Sequence, residues 1–161
     1  MSAIPVIDLA AFRNGNAGVR QTVVKQIYQA CHEIGFMYLQ NPGISKDLIQ
    51  EVGGLEVQTT TGDWIASPPI PDMVVVNTGD LMQRWTNHVF CSTKHRVIIP
   101  NDSRVKQSRY SIAFFCHPND DTEIACLDSR QKQPMYPPIL AGEYLLQRLQ
   151  ATYLADERNL R

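Results

Sequence analysis

The segment Arg109 to Phe115, RYSIAFF, constrains the fold of this chain more than any other, because its β-branched and aromatic run predicts a strand. In a strand alternate side chains share a face, so Arg109, Ser111, Ala113 and Phe115 point one way and Tyr110, Ile112 and Phe114 the other. An arginine and a serine therefore emerge together from an apolar element. A guanidinium matches a carboxylate bidentately, and a hydroxyl two residues on can donate to the same group, so Arg109 and Ser111 form a candidate carboxylate clamp. The competing reading is an edge strand bearing a solvated arginine.

His95 lies in a second short strand pattern, Lys94 to Ile99, in which His95, Val97 and Ile99 share a face. If both strands line one cavity, an imidazole stands beside the carboxylate clamp, a pairing that suggests a metal next to a bound keto acid.

The rest of the chain supplies a scaffold. Ile4 to Leu9 predicts a strand with proline near its start. Val19, Val23, Ile27, Ala30, Cys31 and Ile34 recur at helical spacing, with Gly35 as C-cap. Phe36 to Leu39 is a strand, Asn41-Pro42-Gly43 a turn, and Ser45 caps a helix through Val52. Leu55 to Gln58 and Trp64-Ile65 flank a TTTGD turn and predict a hairpin. Met73 to Asn77, MVVVN, is apolar enough to be buried on both faces. Asp80 opens a short helix with Gln83 as its capping-box partner, which gives Asp80 a structural role. A weak strand around Glu123 to Leu127, an extended Pro134 to Pro138 and an amphipathic helix from Gly142 to Leu154 follow, ending in a fraying tail from Asp156 to Arg161.

These blocks carry a resemblance. Asn77-x-Gly79-Asp80 followed by Trp85-Thr86-Asn87, then Ser92-Thr93-x-His95-Arg96-Val97, then RYSIAFF, is similar to the C-terminal half of the isopenicillin N synthase-like Fe(II)- and 2-oxoglutarate-dependent dioxygenases. IPVIDLAAF, a helix and GFMYLQNPGIS resemble that family's N-terminal segment. The resemblance covers roughly Ile4 to Ser45 and Gly54 to Pro118. It implies an α+β fold containing a partial double-stranded β-helix (a jelly roll, cupin-like) with N-terminal and C-terminal helices. Residues 1–52 would be the family's N-terminal segment, strand-helix-strand-helix, and 54–161 the C-terminal half of the jelly roll with its terminal helix. His95 would be the distal iron ligand, and Arg109 with Ser111 would hold the far carboxylate of 2-oxoglutarate. The implied reaction couples oxidative decarboxylation of the keto acid to oxidation of a C–H bond in a small organic substrate.

The sequence also departs from the family. The family completes its iron site with H-x-D from an earlier strand, whereas two positions after His32, His88, His95 and His117 stand Ile34, Phe90, Val97 and Asn119. A facial triad needs two imidazoles and a carboxylate. In the family many residues separate the GIS block from a sequence like GLEV; here Lys46 to Val52 leads at once to Gly54-Leu55-Glu56-Val57, as though the middle had been removed. The expectation is therefore a family member that is catalytically impaired because the H-x-D ligands are missing, with iron binding in doubt. The alternatives are a non-catalytic 2-oxoglutarate-binding or dimerising remnant, and an enzyme completed by ligands from a partner chain. Losing strands should also leave Val74, Val76, Val97, Ile99, Ala113 and Phe115 without partners, which favours self-association through exposed sheet faces.

Other readings are weaker. His88, Cys91 and His95 lack the fourth ligand and paired spacing of structural zinc. Asp63, Asp72, Glu56 or His117 could replace the lost ligands only by chance convergence on His95. His32 is a surface side chain on its helix. The net charge of -1 gives no basic field for nucleic acid or an anionic membrane, so a small-molecule substrate is the expected partner. No apolar run approaches spanning length, no signal peptide precedes Ile4, and the four cysteines lack C-x-x-C spacing, which together predict reduced thiols in a cytoplasmic protein.

Overall fold

The computed structural model describes residues 4–44, 53–98, 113–127 and 133–159, with side chains of the last helix described through residue 151. The helix expected from Ser45 to Val52 and the clamp residues Arg109 and Ser111 lie outside the described residues, as does Ile99. The chain packs as two compact units, Met1–Asp80 with Phe90–Ala113 and Leu81–Val89 with Phe114–Arg161.

In the first unit β1 (Val6–Asp8) runs into α1 (Leu9–Asn14) and α2 (Ala17–Glu33), followed by β2 (Phe36–Gln40), β3 (Leu55–Gln58), β4 (Trp64–Ser67) and β5 (Met73–Asn77). After α3 (Asp80–Trp85), which opens on Asp80 and continues into the second unit, β6 (His95–Val97) returns to the first. β1 pairs parallel with β2 and β5 pairs antiparallel with it, while β4, β3 and β6 form an antiparallel sheet with β3 in the middle. The hairpin expected around TTTGD is present, turning at Gly62 with φ +93°.

Period-two alternation on β2 explains how these layers stack. Phe36 and Tyr38 point into one core cluster with Ile4, Ile34 and Val57, whereas Met37 points into another with Ile7, Val23, Ala30 and Cys31. The first sheet is thus sandwiched between α2 and the β4-β3-β6 sheet. A hydroxyl relay ties the two sheets together: Tyr38 Oη donates to the Pro68 carbonyl at 2.6 Å, so Ser67 Oγ, 2.8 Å away, donates to Tyr38 Oη. Tyr38 and Ser67 are both buried, and the relay satisfies both hydroxyls.

The helix starts follow from their caps. Asp8 accepts from Ala10 N–H at 2.8 Å at the head of α1, and Asn16 accepts from Val19 N–H at 3.0 Å at the head of α2. α1 is a helix that hydrophobic periodicity does not announce, since six residues between a strand and Gly15 are too few to show it.

The second unit holds the remainder of α3, the short pair β7 (Glu123–Ile124) and β8 (Ile139–Leu140), and α4 (Ala141–Asn159). Ile124 and Ala141 are buried, and the Arg84 guanidinium lies 4.6 Å from the Tyr136 ring centre while its Nη2 donates to Pro137 O at 2.7 Å.

Three expectations are corrected. Ala113 to Phe115, the described end of the RYSIAFF segment, is not a strand; Phe114 and Phe115 are 88% and 87% exposed, with no strand among the described residues to pair them. β5 is not buried on both faces, because among the described residues it forms the edge of its sheet and Val75 is 40% exposed. α4 continues to Asn159 instead of fraying from Asp156. Val97 is 52% exposed although β6 pairs with β3, Ala113 and Phe115 are exposed outside any strand, and Val74 and Val76 are partly covered. Among the described residues no helix is long and apolar enough to cross a membrane.

Candidate functional site

β6 exists because the residues before it cap a helix. The last turn of α2 leaves carbonyls without intrahelical partners. Cys91 N–H donates to Cys31 O at 2.8 Å, the Cys91 thiol to His32 O at 2.9 Å, and Thr93 Oγ1 to Ile34 O at 2.6 Å. Thr78 N–H donates to Gly35 O at 2.9 Å, and the Thr78 hydroxyl donates to Cys91 O. Gly35, at φ +68°, turns the chain here, and its missing Cβ admits the Cys91 carbonyl. Lys94 O then accepts from Gln58 N–H at 2.9 Å, which brings His95 into register with Val57 of β3.

The register decides what surrounds His95. Val57 shares its face and is fully buried, so the imidazole sits at the rim of the core with its ring 5.4 Å from that of Phe36, edge to face. Nδ1 lies 3.2 Å from Thr93 O. A carbonyl only accepts, so in this contact Nδ1–H is the donor. This is how a ligating histidine is usually held.

The acids proposed as replacement ligands are engaged elsewhere. Glu56 pairs with Arg96 and therefore lies on the opposite face from His95; its Oε2 accepts from Arg96 Nε at 2.8 Å and Nη2 at 2.7 Å, with the guanidinium 4.1 Å above the Trp64 ring. Asp63 accepts from Thr61 Oγ1 at 2.8 Å within the hairpin turn. His117 Nδ1 donates to Pro118 O at 2.7 Å in the second unit. Asp72 sits in a left-handed turn at φ +62°. The zinc-like trio is likewise dispersed in its bonding, with His88 Nε2 hydrogen-bonded to Tyr136 Oη at 2.6 Å and the Cys91 thiol on His32 O. His32 is exposed and stacks on Tyr28.

Among the described residues no group of three His, Cys, Asp or Glu side chains converges where a metal could be held. Ferrous iron in a facial triad needs three protein donors, and His95 supplies one, so the described residues do not fit it. An open cleft of about 380 Å³ lined by Val6, Asp8, Val19, Thr22, Gln26 and Gln40, among others, offers no alternative centre: its single acid, Asp8, already accepts from Ala10 N–H and from Asn41 Nδ2 at 2.8 Å. Those hydrogen bonds, Asn41 first, hold the Asp8 carboxyl below its ordinary value. All four cysteines are free thiols, and burial pushes the Cys31 and Cys91 thiols up, which keeps them protonated and slow to react at neutral pH. The cap built by Cys91 and Thr93 is what inspection of the sequence missed; Thr93 two residues before His95 is its only trace there.

Known proteins agree with this architecture. The family model described as "2OG-Fe(II) oxygenase superfamily" matches residues 31–118, and that for "non-haem dioxygenase in morphine synthesis N-terminal" matches residues 4–55. The 2-oxoglutarate-Fe(II) type oxidoreductase ppzD of Metarhizium rileyi is 38% identical over 117 residues, 68% of this chain and 33% of that protein. A homoarginine-6-hydroxylase of Oryza sativa is 32% identical over 108 residues, 65% of this chain and 32% of that protein. The chain thus spans about a third of the length of the curated relatives it matches. A full-length Neurospora crassa protein solved in complex with alpha-KG superposes with a TM-score of 0.81 at 20% identity, covering 93% of this chain and 96% of that one, which shows the shared fold. The fold class is α+β, its strands forming part of the double-stranded β-helix of these oxygenases. The chain belongs to the 2OG-Fe(II) oxygenase superfamily, an oxidoreductase family whose cofactors are Fe(II) and 2-oxoglutarate.

Proposed function

We propose that this chain descends from an enzyme that oxidised a small organic substrate with Fe(II) and 2-oxoglutarate, and that as written it is catalytically impaired. In this reading residues 1–52 are the family's N-terminal segment and 54–161 the C-terminal half of its jelly roll, joined where the H-x-D strand has been lost. Arg109 and Ser111 keep the clamp for the far carboxylate of the keto acid, and His95 is the surviving iron ligand. The observation that carries the reading is that among the described residues no ligand set converges on His95: its face is shared with buried Val57, and Glu56 of the neighbouring strand is on the other side of the sheet. A relative named for hydroxylating homoarginine supports a small organic substrate. Free thiols and the lack of a spanning helix among the described residues support a cytoplasmic protein.

The test is Fe(II)- and 2-oxoglutarate-dependent release of succinate by the purified chain. No release is expected; stoichiometric turnover would overturn the impairment. The second reading, a non-catalytic 2-oxoglutarate-binding or dimerising remnant, is favoured by the exposed Val75 on β5 and Val97 on β6, which are edge strands among the described residues and offer sheet faces and edges to a second copy. It predicts 2-oxoglutarate binding without turnover, abolished by Arg109→Ala. Genomic sequence around codons 52 to 55 would separate a real deletion from a misread gene.

A further inference from the structure

His95 is held between two fixed points. On one side Cys91 N–H is bonded to Cys31 O at 2.8 Å; on the other Lys94 O accepts from Gln58 N–H at 2.9 Å. Thr93 lies between them, and it is tied by its side chain, whose hydroxyl donates to Ile34 O at 2.6 Å. Ile34 is the C-cap of α2, so that carbonyl stands at the electron-rich end of a 17-residue helix, where an O–H donor is well placed. Thr93's own carbonyl accepts from Nδ1 of His95 at 3.2 Å, while the buried Phe36 ring packs edge to face against the imidazole.

We infer that Thr93 is a positioning residue for His95: its hydroxyl moors the backbone to the end of α2 so that its carbonyl holds the imidazole in the Nδ1–H tautomer and leaves Nε2 as the outward lone pair. A free neutral imidazole favours the opposite tautomer, and the ring takes whichever form its hydrogen bond selects. Valine has the shape of threonine without the donor. Serine has the donor without the methyl. The importance of this arrangement rests on the reading of His95 proposed above, but the arrangement itself requires neither metal nor keto acid.

The test is a long-range proton–nitrogen correlation spectrum of the full chain labelled with nitrogen-15 histidine, in mildly alkaline buffer, with the His95 ring assigned through His95→Gln. The wild-type ring should show the Nδ1–H pattern. Thr93→Val should move it to a mixture dominated by Nε2–H, Thr93→Ser should restore it, and the rings of His32, His88 and His117 should stay unchanged. An Nε2–H pattern in the wild type overturns the inference even if Thr93→Val fails to fold, and so does an unaltered His95 pattern in a folded Thr93→Val. Loss of Arg109-dependent 2-oxoglutarate binding as a finding, with the tautomer pattern intact, would sink the functional reading and leave this one standing.

Discussion

Replacing Gly35 by alanine should destabilise the first unit by more than the backbone conformation alone explains. Gly35 has φ +68°, and an L-residue held in the left-handed region costs about 1–2 kcal/mol. The added Cβ would collide with the Cys91 carbonyl oxygen and meet Thr78 Oγ1 at 3.0 Å. Backbone must therefore retreat by roughly 1 Å to restore van der Waals contact. That retreat strains the bonds from Cys91 N–H to Cys31 O and from Thr93 Oγ1 to Ile34 O, each worth about 0.5–1.5 kcal/mol. The total is about 2–5 kcal/mol, a large part of the 5–15 kcal/mol that holds a typical domain folded. Gly62→Ala is the control, since Gly62 has φ +93° but nothing within 4 Å of the new methyl group. Urea denaturation followed by circular dichroism should place the Gly35→Ala midpoint clearly below that of Gly62→Ala. Equal losses in the two variants would refute the claim that the segment before β6 is clamped to the end of α2.

Other consequences are open to direct measurement. Tyr38→Phe removes the relay to Ser67 and Pro68 and should cost about 1–3 kcal/mol in the same assay, because Ser67 Oγ is left buried without its acceptor. Thiol labelling under native conditions should modify exposed Cys116 first and buried Cys31 last, with Cys31 and Cys91 accelerating only in alkaline buffer. The lowered carboxyl of Asp8 makes its contribution present above the unfolded value near 3.8 and lost as pH falls through the folded one; Asp8→Asn should remove that acid dependence, read as a flatter stability profile at the acidic end.

Much of this fold is legible in the sequence because its signals are local. The apolar spacing from Val19 to Ile34 and the glycine after it define α2 and its end. Alternation at Phe36-Met37-Tyr38 defines a strand, and its burial on both faces follows once α2 and the second sheet cover it. MVVVN misleads because apolar composition cannot say whether a strand is central or at an edge, and among the described strands β5 is at an edge. RYSIAFF misleads at its end because β-propensity is fulfilled only by a neighbouring strand, and Phe114 and Phe115 have none among the described residues. The motif singles out His95 as a candidate ligand. It does not disclose the immediate surroundings, since the cap that holds His95 joins residues about 60 positions apart, Cys31 with Cys91 and Ile34 with Thr93.

The most direct test is the metal content of the purified 161-residue chain, loaded with ferrous iron under anaerobic conditions, gel-filtered and assayed by elemental analysis with and without 2-oxoglutarate. One imidazole set at the rim of a core, with no group of three ligating side chains among the described residues, predicts far less than one iron per chain in either case. One tightly held iron per chain, lost in His95→Ala, would contradict the account.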